Sequence, residues 1–399
     1  MSDQIRDGLA PVAPPTEVNR LAYIDTLRGF AALWVFMLHT HQYWLSDVKP
    51  SGLNPTRIIT FFFGMGGLGV DLFIVLSGFC LFYPLVKSSK TMNVNFDVLK
   101  FYRRRAFRLL PAYYAALALL IVLISIPAIQ PKLVGRPLNF ADIATHLFLL
   151  QTFSNHTIGS INGPFWSIAL EAQLYLVFPL LILVYKRRGM APLLGIGLGA
   201  AILWPFIYAG LAKAGMNFTP HYHLLARWIE FIIGMLAAKI VCHHLTGSKK
   251  WSALAFVLTL PVTVALNTGI ADRLGAPAFI GTTVAGITFA ALVVFLANFR
   301  NSIFAGKNPL GVLNRIGVIS YSVYLLHQPI ILLLNPWAQS LKLGIIPTFG
   351  LALVTSFPLA LLMGWLFFTF IERPFIALGK RRKAPIAVGT QTVADQAIP

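Results

Sequence analysis

Residues 25–44 read DTLRGFAALWVFMLHTHQYW. The run has the length and apolarity of a helix in hydrocarbon, yet Arg28 and His39 stand inside it. Eleven positions make about three helical turns, so the two side chains leave nearly the same face, roughly 16 Å apart along the axis. Lipid disfavours both groups. A helix that carries them on one face must turn that face toward protein. The stretch therefore predicts a bundle of membrane helices rather than a single anchor.

The rest of the chain agrees. Of its 399 residues 57% are hydrophobic and only 11% charged, with a mean hydropathy of +0.73. Soluble domains carry about 25% charged residues. Apolar stretches recur at the roughly 17–25 residues needed to cross a bilayer. Ten helices are expected, near 22–45, 58–86, 106–128, 166–185, 190–211, 222–243, 251–267, 277–298, 314–334 and 346–371. A further apolar stretch at 143–153 is too short to span, and is expected to rest at the interface or re-enter. The fold class is all-α, a polytopic helix bundle. Residues 1–20 hold Pro11, Pro14 and Pro15 and lack a signal-peptide core. They are expected to form a disordered tail, with a second, basic then disordered, at 379–399. The membrane domain spans 21–378.

The net charge of +19 fits orientation better than nucleic acid, and no nucleic-acid partner is expected. With the N-terminus inside, 22 of the 32 Lys and Arg fall in cytoplasmic segments and 7 in outer loops. That bias places both termini in the cytoplasm. Cys80 and Cys242 lie in apolar segments without metal-site or disulfide spacing, so no metal is expected.

Depth sorts the remaining polar residues. Asp25 and Arg28 lie near the cytoplasmic end of the first helix. His39 lies in its outer half, and Glu171 is expected at similar depth. Asp71, in GVDLFIVLSGF, is nearer mid-membrane, and His327 lies in the outer half of the ninth helix. Each has a plain reading beside a chemical one. Arg28 either snorkels to the headgroups or meets a ligand. His39 either packs or takes protons. Asp71 either serves a substrate or simply pairs with Arg28. Arg103, Arg104, Arg105 and Arg108 partly set topology, but so dense a group also suits bidentate phosphate binding. Gly64, Gly66, Gly67 and Gly69 follow no strand, so close helix packing or opened backbone explains them better than a nucleotide fingerprint.

Taken together, these segments resemble the acyltransferase-3 family of integral membrane acyltransferases. The resemblance covers about residues 21–378. It rests on YIDTLRGFAALWVFMLHT, with ten residues between Arg and His, then GVDLFIVLSGF, FYRRRAFRLLPAYY, GPFWSIALEAQLYLVFPLL, ISYSVYLLHQPI and IERPF, in order. Where the family often has two consecutive acids after PFWSIAL, this chain has Glu171 followed by Ala172. With no hydrolase-like domain after the last helix, the resemblance leads one to expect the stand-alone form.

The resemblance implies transfer of an acyl group, usually acetyl from acetyl-CoA, to a hydroxyl of a carbohydrate or glycolipid acceptor. Acyl-CoA acts as co-substrate, with no bound cofactor, and the setting is a bacterial cytoplasmic membrane. Arg28, Arg103, Arg104, Arg105 and Arg108 would then hold the coenzyme A phosphates. His39 would be the general base and Glu171 its orienting partner. Direct transfer and a covalent acyl-His39 route both remain open. Trp166 and Ser167 would shape the pocket, with Asp71, Ser77, Tyr321, His327 and Asp25 as substrate or supporting groups. A transporter or flippase would also have ten helices and buried charge, but it predicts matched broken helices in two halves. GMGGLG at 64–69 has no counterpart in the second half.

Overall fold

The computed structural model describes residues 21–45, 55–88, 96–245, 247–268, 273, 277–299 and 310–380. The tail expected at 1–20, and the one expected at 379–399 beyond its first two residues, lie outside the described residues. No strand occurs among the described residues. The helices are α1 (Ala22–Trp44), α2 (Pro55–Gly64), α3 (Leu68–Lys87), α4 (Val98–Ile124), α5 (Phe140–Leu147), α6 (Phe165–Arg188), α7 (Met190–Lys213), α8 (Leu224–His243), α9 (Ser248–Leu266), α10 (Ala278–Ala297), α11 (Gly311–Ser340), α12 (Ile345–Val354), α13 (Ser356–Phe367) and α14 (Arg373–Lys380).

Eight helical segments among the described residues are long and apolar enough to cross a membrane. Of the ten expected, α1 and α8 are the two left out by composition. Their length is sufficient, at 23 and 20 residues, but they carry Asp25, Arg28, Arg227, Glu230 and Lys239. Both are largely buried among their neighbours. A helix surrounded by other helices can carry polar groups, because they meet protein rather than lipid. The opposite case is α9, which buries only Ser252 and Thr263.

Three boundaries differ from expectation, each for a local reason. α4 begins at Val98 rather than near 106, because the Asp97 carboxylate caps it by accepting from the Lys100 backbone N–H at 2.9 Å. The four arginines therefore lie on a helix, and its phase decides which face the bundle. The last expected span is broken at Thr355 and again by a π-turn at Phe368–Glu372. The apolar stretch near 143–153 splits into α5, closed by an Asn139–Asp142 capping box, and a 3-10 turn at Gln151–Phe153. Arg136 clamps this loop by donating to both Asp142 carboxylate oxygens at 2.7 Å.

The crossing of α1 and α11 sets the registers of the polar side chains on both helices. Gly29 meets the Leu313 carbonyl and Gly317 meets the Asp25 carbonyl, so a side chain at either position would collide with backbone. This reciprocal small-residue contact brings the two axes close. Gly66 and Gly69 play the same part against Trp34 and Ala31 of α1, whereas Gly64 and Gly67 touch no backbone. The tight turn between α6 and α7 falls at Gly189, whose φ of 81° suits glycine.

Candidate active site

A cavity of about 110 Å³ opens among α1, α3, α4, α6 and α11. Arg28, Arg105 and Arg108 reach it from two helices, and Glu171 faces them from α6. Hydroxyls of Ser77, Ser167, Ser320, Tyr175, Tyr321 and Tyr324 line it, with Val70, Phe73, Ile74 and Ile168 forming an apolar wall. Such a mixture binds a molecule with an anionic end and an uncharged reacting end.

The electrostatics distinguish the arginines. Arg108 forms an ion pair with Glu372 at the π-turn, and Ser322 also donates to Glu372, at 2.5 Å. Arg28 has Asp25 at 3.9 Å, one turn away. Arg105 has no carboxylate partner among the described residues, its Nε is buried without a hydrogen bond, and it lies 5.8 Å from the Tyr175 ring. An unsatisfied guanidinium at a cavity wall is a ready anion site. The cluster expected to act together divides instead, because Arg103 and Arg104 are exposed and do not line the cavity. Arg103 donates to the Leu378 carbonyl at 3.4 Å.

Glu171 is placed differently from expectation. It shares the cavity with Arg28, although the depth estimate assigned the two to opposite halves, and Tyr175 donates to its Oε1. The expected contact from Glu171 to His39 is not made. His39 Nδ1 is bonded instead to the Gln42 side-chain oxygen at 2.9 Å, and its ring lies 5.1 Å from that of His327. His39 does not line the cavity. It adjoins it through His327 and then Tyr324, whose ring is 5.4 Å from that of His327 and whose hydroxyl is 2.7 Å from Ser167 Oγ.

Asp71 is also redirected. It pairs with Arg227 at 3.3 Å, not with Arg28, away from the cavity lining. Trp166 lies outside the lining and packs on Tyr222, ring centres 4.3 Å apart. Of the other expected residues, Ser77, Ser167 and Tyr321 line the cavity and Asp25 lies behind Arg28. The sequence reading missed Tyr175, Ser320, Tyr324 and Glu372 as site residues. All four fall within segments already singled out, GPFWSIALEAQLYLVFPLL, ISYSVYLLHQPI and IERPF. Helical spacing from Glu171 would have pointed to Tyr175, one turn on.

Comparison with known proteins agrees with this architecture. The model of the acyltransferase domain of acyltransferase-3 proteins matches residues 21–366. The chain is 26% identical over 402 residues to the acyltransferase MdmB of Streptomyces mycarofaciens, covering 96% of this chain and 98% of that one. It is 26% identical over 382 residues to the O-acetyltransferase OatA of Staphylococcus aureus, covering 88% of this chain and 56% of that protein. The chain thus spans about half the length of those O-acetyltransferases. No solved structure matches. On the family match across most of its length, this chain belongs to the acyltransferase-3 family and carries the long apolar helices of a multi-pass membrane protein.

Proposed function

We propose that the protein is a membrane O-acyltransferase that moves an acyl group, acetyl in the first instance, from acyl-CoA to a hydroxyl of a carbohydrate or glycolipid acceptor. One observation carries this reading. Three arginines share a cavity with a carboxylate and six hydroxyls, and one of the three has no carboxylate of its own. Coenzyme A is polyanionic, and its phosphates match Arg105, Arg28 and Arg108. The thioester arm would then lie along Phe73 and Ile74 toward Ser167 and Tyr324. Glu171 and the serines offer hydrogen bonds to the amides of that arm or to the acceptor. His39, beyond Tyr324 and His327, is the base for the acceptor hydroxyl.

The charge bias along the sequence supports an orientation with both termini in the cytoplasm, where acyl-CoA is made. A bacterial cytoplasmic membrane is the setting that fits the relatives. The test is purified protein mixed with acetyl-CoA and envelope glycan, read as release of free thiol and an added acetyl mass. His39→Ala should lower the rate by about 10²–10⁴-fold while the protein still inserts. Near-normal turnover in that variant removes His39 from the chemistry.

A further inference from the structure

His327 lies outside the cavity lining, and the acyl-transfer chemistry assigns it no task. It is 2% exposed. Its Nδ1 lies 2.7 Å from the Tyr324 carbonyl oxygen, one turn back on α11. A carbonyl only accepts, so Nδ1 carries the hydrogen and Nε2 keeps its lone pair. That Nε2 is buried with no hydrogen-bond partner. A buried acceptor of this kind is unfavourable until a donor arrives.

The ring opposite is His39, 5.1 Å away between centres and tilted by 41°. Its Nδ1 is likewise engaged, by the Gln42 oxygen, which leaves Nε2 as its basic atom. Two imidazoles joined by an N–H···N bond would have ring centres roughly 5 Å apart, given the usual bond length. In the neutral pair neither Nε2 carries a hydrogen. A proton delivered to His39 supplies the missing donor. The neighbouring polar groups are Tyr43, stacked on His39 at 6.1 Å, with its hydroxyl bonded to Gln328, and Tyr324. None of them is a carboxylate or a cation.

We propose that His327 is a positioning residue that acts through His39, sharing the proton His39 takes from the acceptor. The inference rests on the acyl-transfer reading. The acceptor O–H bond breaks and its proton goes to His39 Nε2 as the oxygen bonds to the acyl carbon. The C–S bond of the thioester then breaks, and the proton passes from His39 to the thiolate sulfur. Between these events the His327 Nε2 lone pair accepts a hydrogen bond from the imidazolium. No group is oxidised or reduced, and His327 ends as it began.

The test uses the full chain in detergent with acetyl-CoA and a simple sugar or water as acceptor, read as thiol release. His327→Asn keeps an amide N–H for the Tyr324 carbonyl and removes the distal lone pair. The expected result is a fall in kcat of about 10²-fold, with KM for acetyl-CoA and the melting temperature unchanged. An Asn variant with kcat close to that of the unaltered enzyme overturns the proposal, because a purely structural histidine would behave so. Should that variant not fold, His327→Gln decides, because its side-chain oxygen can stand in for the Nε2 lone pair. A kcat within about threefold of the unaltered enzyme is expected, and a loss of about 10²-fold overturns the proposal. If the unaltered protein releases no thiol, the acyl-transfer reading fails and takes this inference with it. An active enzyme with an indifferent Asn variant overturns this inference alone.

Discussion

Two groups of charged side chains are buried in this bundle, and they are built on different terms. At the junction of α3 and α8, Arg227 lies 3.3 Å from Asp71 and 3.4 Å from Glu230. The three side chains are at most one-tenth exposed. One guanidinium serves two carboxylates, and neither Glu230 oxygen has a further hydrogen bond. Around the cavity the balance is reversed, because cations outnumber carboxylates on the wall and Arg105 has no carboxylate partner among the described residues. Buried charge is costly in either place. The first group pairs its charges with one another and lies away from the cavity, although Arg227 Nε and both Glu230 oxygens lack a hydrogen bond. The second leaves its valence open, and that is what makes it a site.

The largest effect should come from breaking the sealed group. Arg227→Ala strips two buried carboxylates of the cation they share, and a loss of about 3–5 kcal/mol is expected. It should appear as a lower melting temperature in detergent and poor recovery from membranes. A variant that melts like the parent would mean that this group is not structural. Arg105→Ala should do the reverse, leaving melting unchanged while raising the apparent KM for acetyl-CoA about tenfold, as for a lost charge-assisted hydrogen bond. Arg104→Ala, on the exposed side of the same helix, should change neither. Equal effects at 104 and 105 would erase the distinction between wall and surface.

The loop between α4 and α6 gives a third case, outside the spans. Burial pushes the His146 imidazole from 6.5 down to about 4, so the folded loop keeps it neutral. Burial pushes the Asp142 carboxyl up, but the hydrogen bonds from Arg136 and the Asn139 backbone outweigh it and hold it below its usual value. An opened loop takes up the His146 proton between pH 6.5 and 4, so local stability falls as pH drops through that window. The slope is at most about 1.4 kcal/mol per pH unit, with Asp142 adding to the loss only below about pH 4. Hydrogen exchange over 136–157, corrected for intrinsic rates, should show the loop opening more often at pH 5 than at pH 7. Pressure on the cavity is gentler still. Tyr175→Phe deletes one donor to Glu171 and should lower turnover a few-fold, about 1 kcal/mol, without moving the melting point.

The bundle was legible in the sequence because apolar length and charge bias are properties of segments. So were most wall residues, since Arg28, Arg105, Arg108, Glu171, Ser77, Ser167 and Tyr321 stand out in apolar surroundings. What the sequence did not disclose is who meets whom. Counting turns along α1 and α6 separately placed Glu171 level with His39. The register of α1 is set by its crossing with α11 at Gly29 and Gly317, while α6 packs against other helices, so no single-helix ruler relates the two. Asp71 shows the same limit. Its partner lies on α8, far along the chain, and Arg28 was only the nearest candidate by depth. The split of the arginine cluster likewise follows from how α4 packs, with Arg105 and Arg108 on the cavity wall and Arg103 and Arg104 exposed.

Glu372 has a consequence for how this protein is made. It neutralises Arg108, yet it lies in the π-turn after the last apolar segment, while Arg108 is on the fourth helix. During synthesis the basic wall therefore forms long before its counter-charge leaves the ribosome. A chain that stops short of the last helix has every arginine of the cavity wall but lacks the carboxylate that pairs with Arg108. Docking of the final segment is therefore what sets the charge balance of that wall.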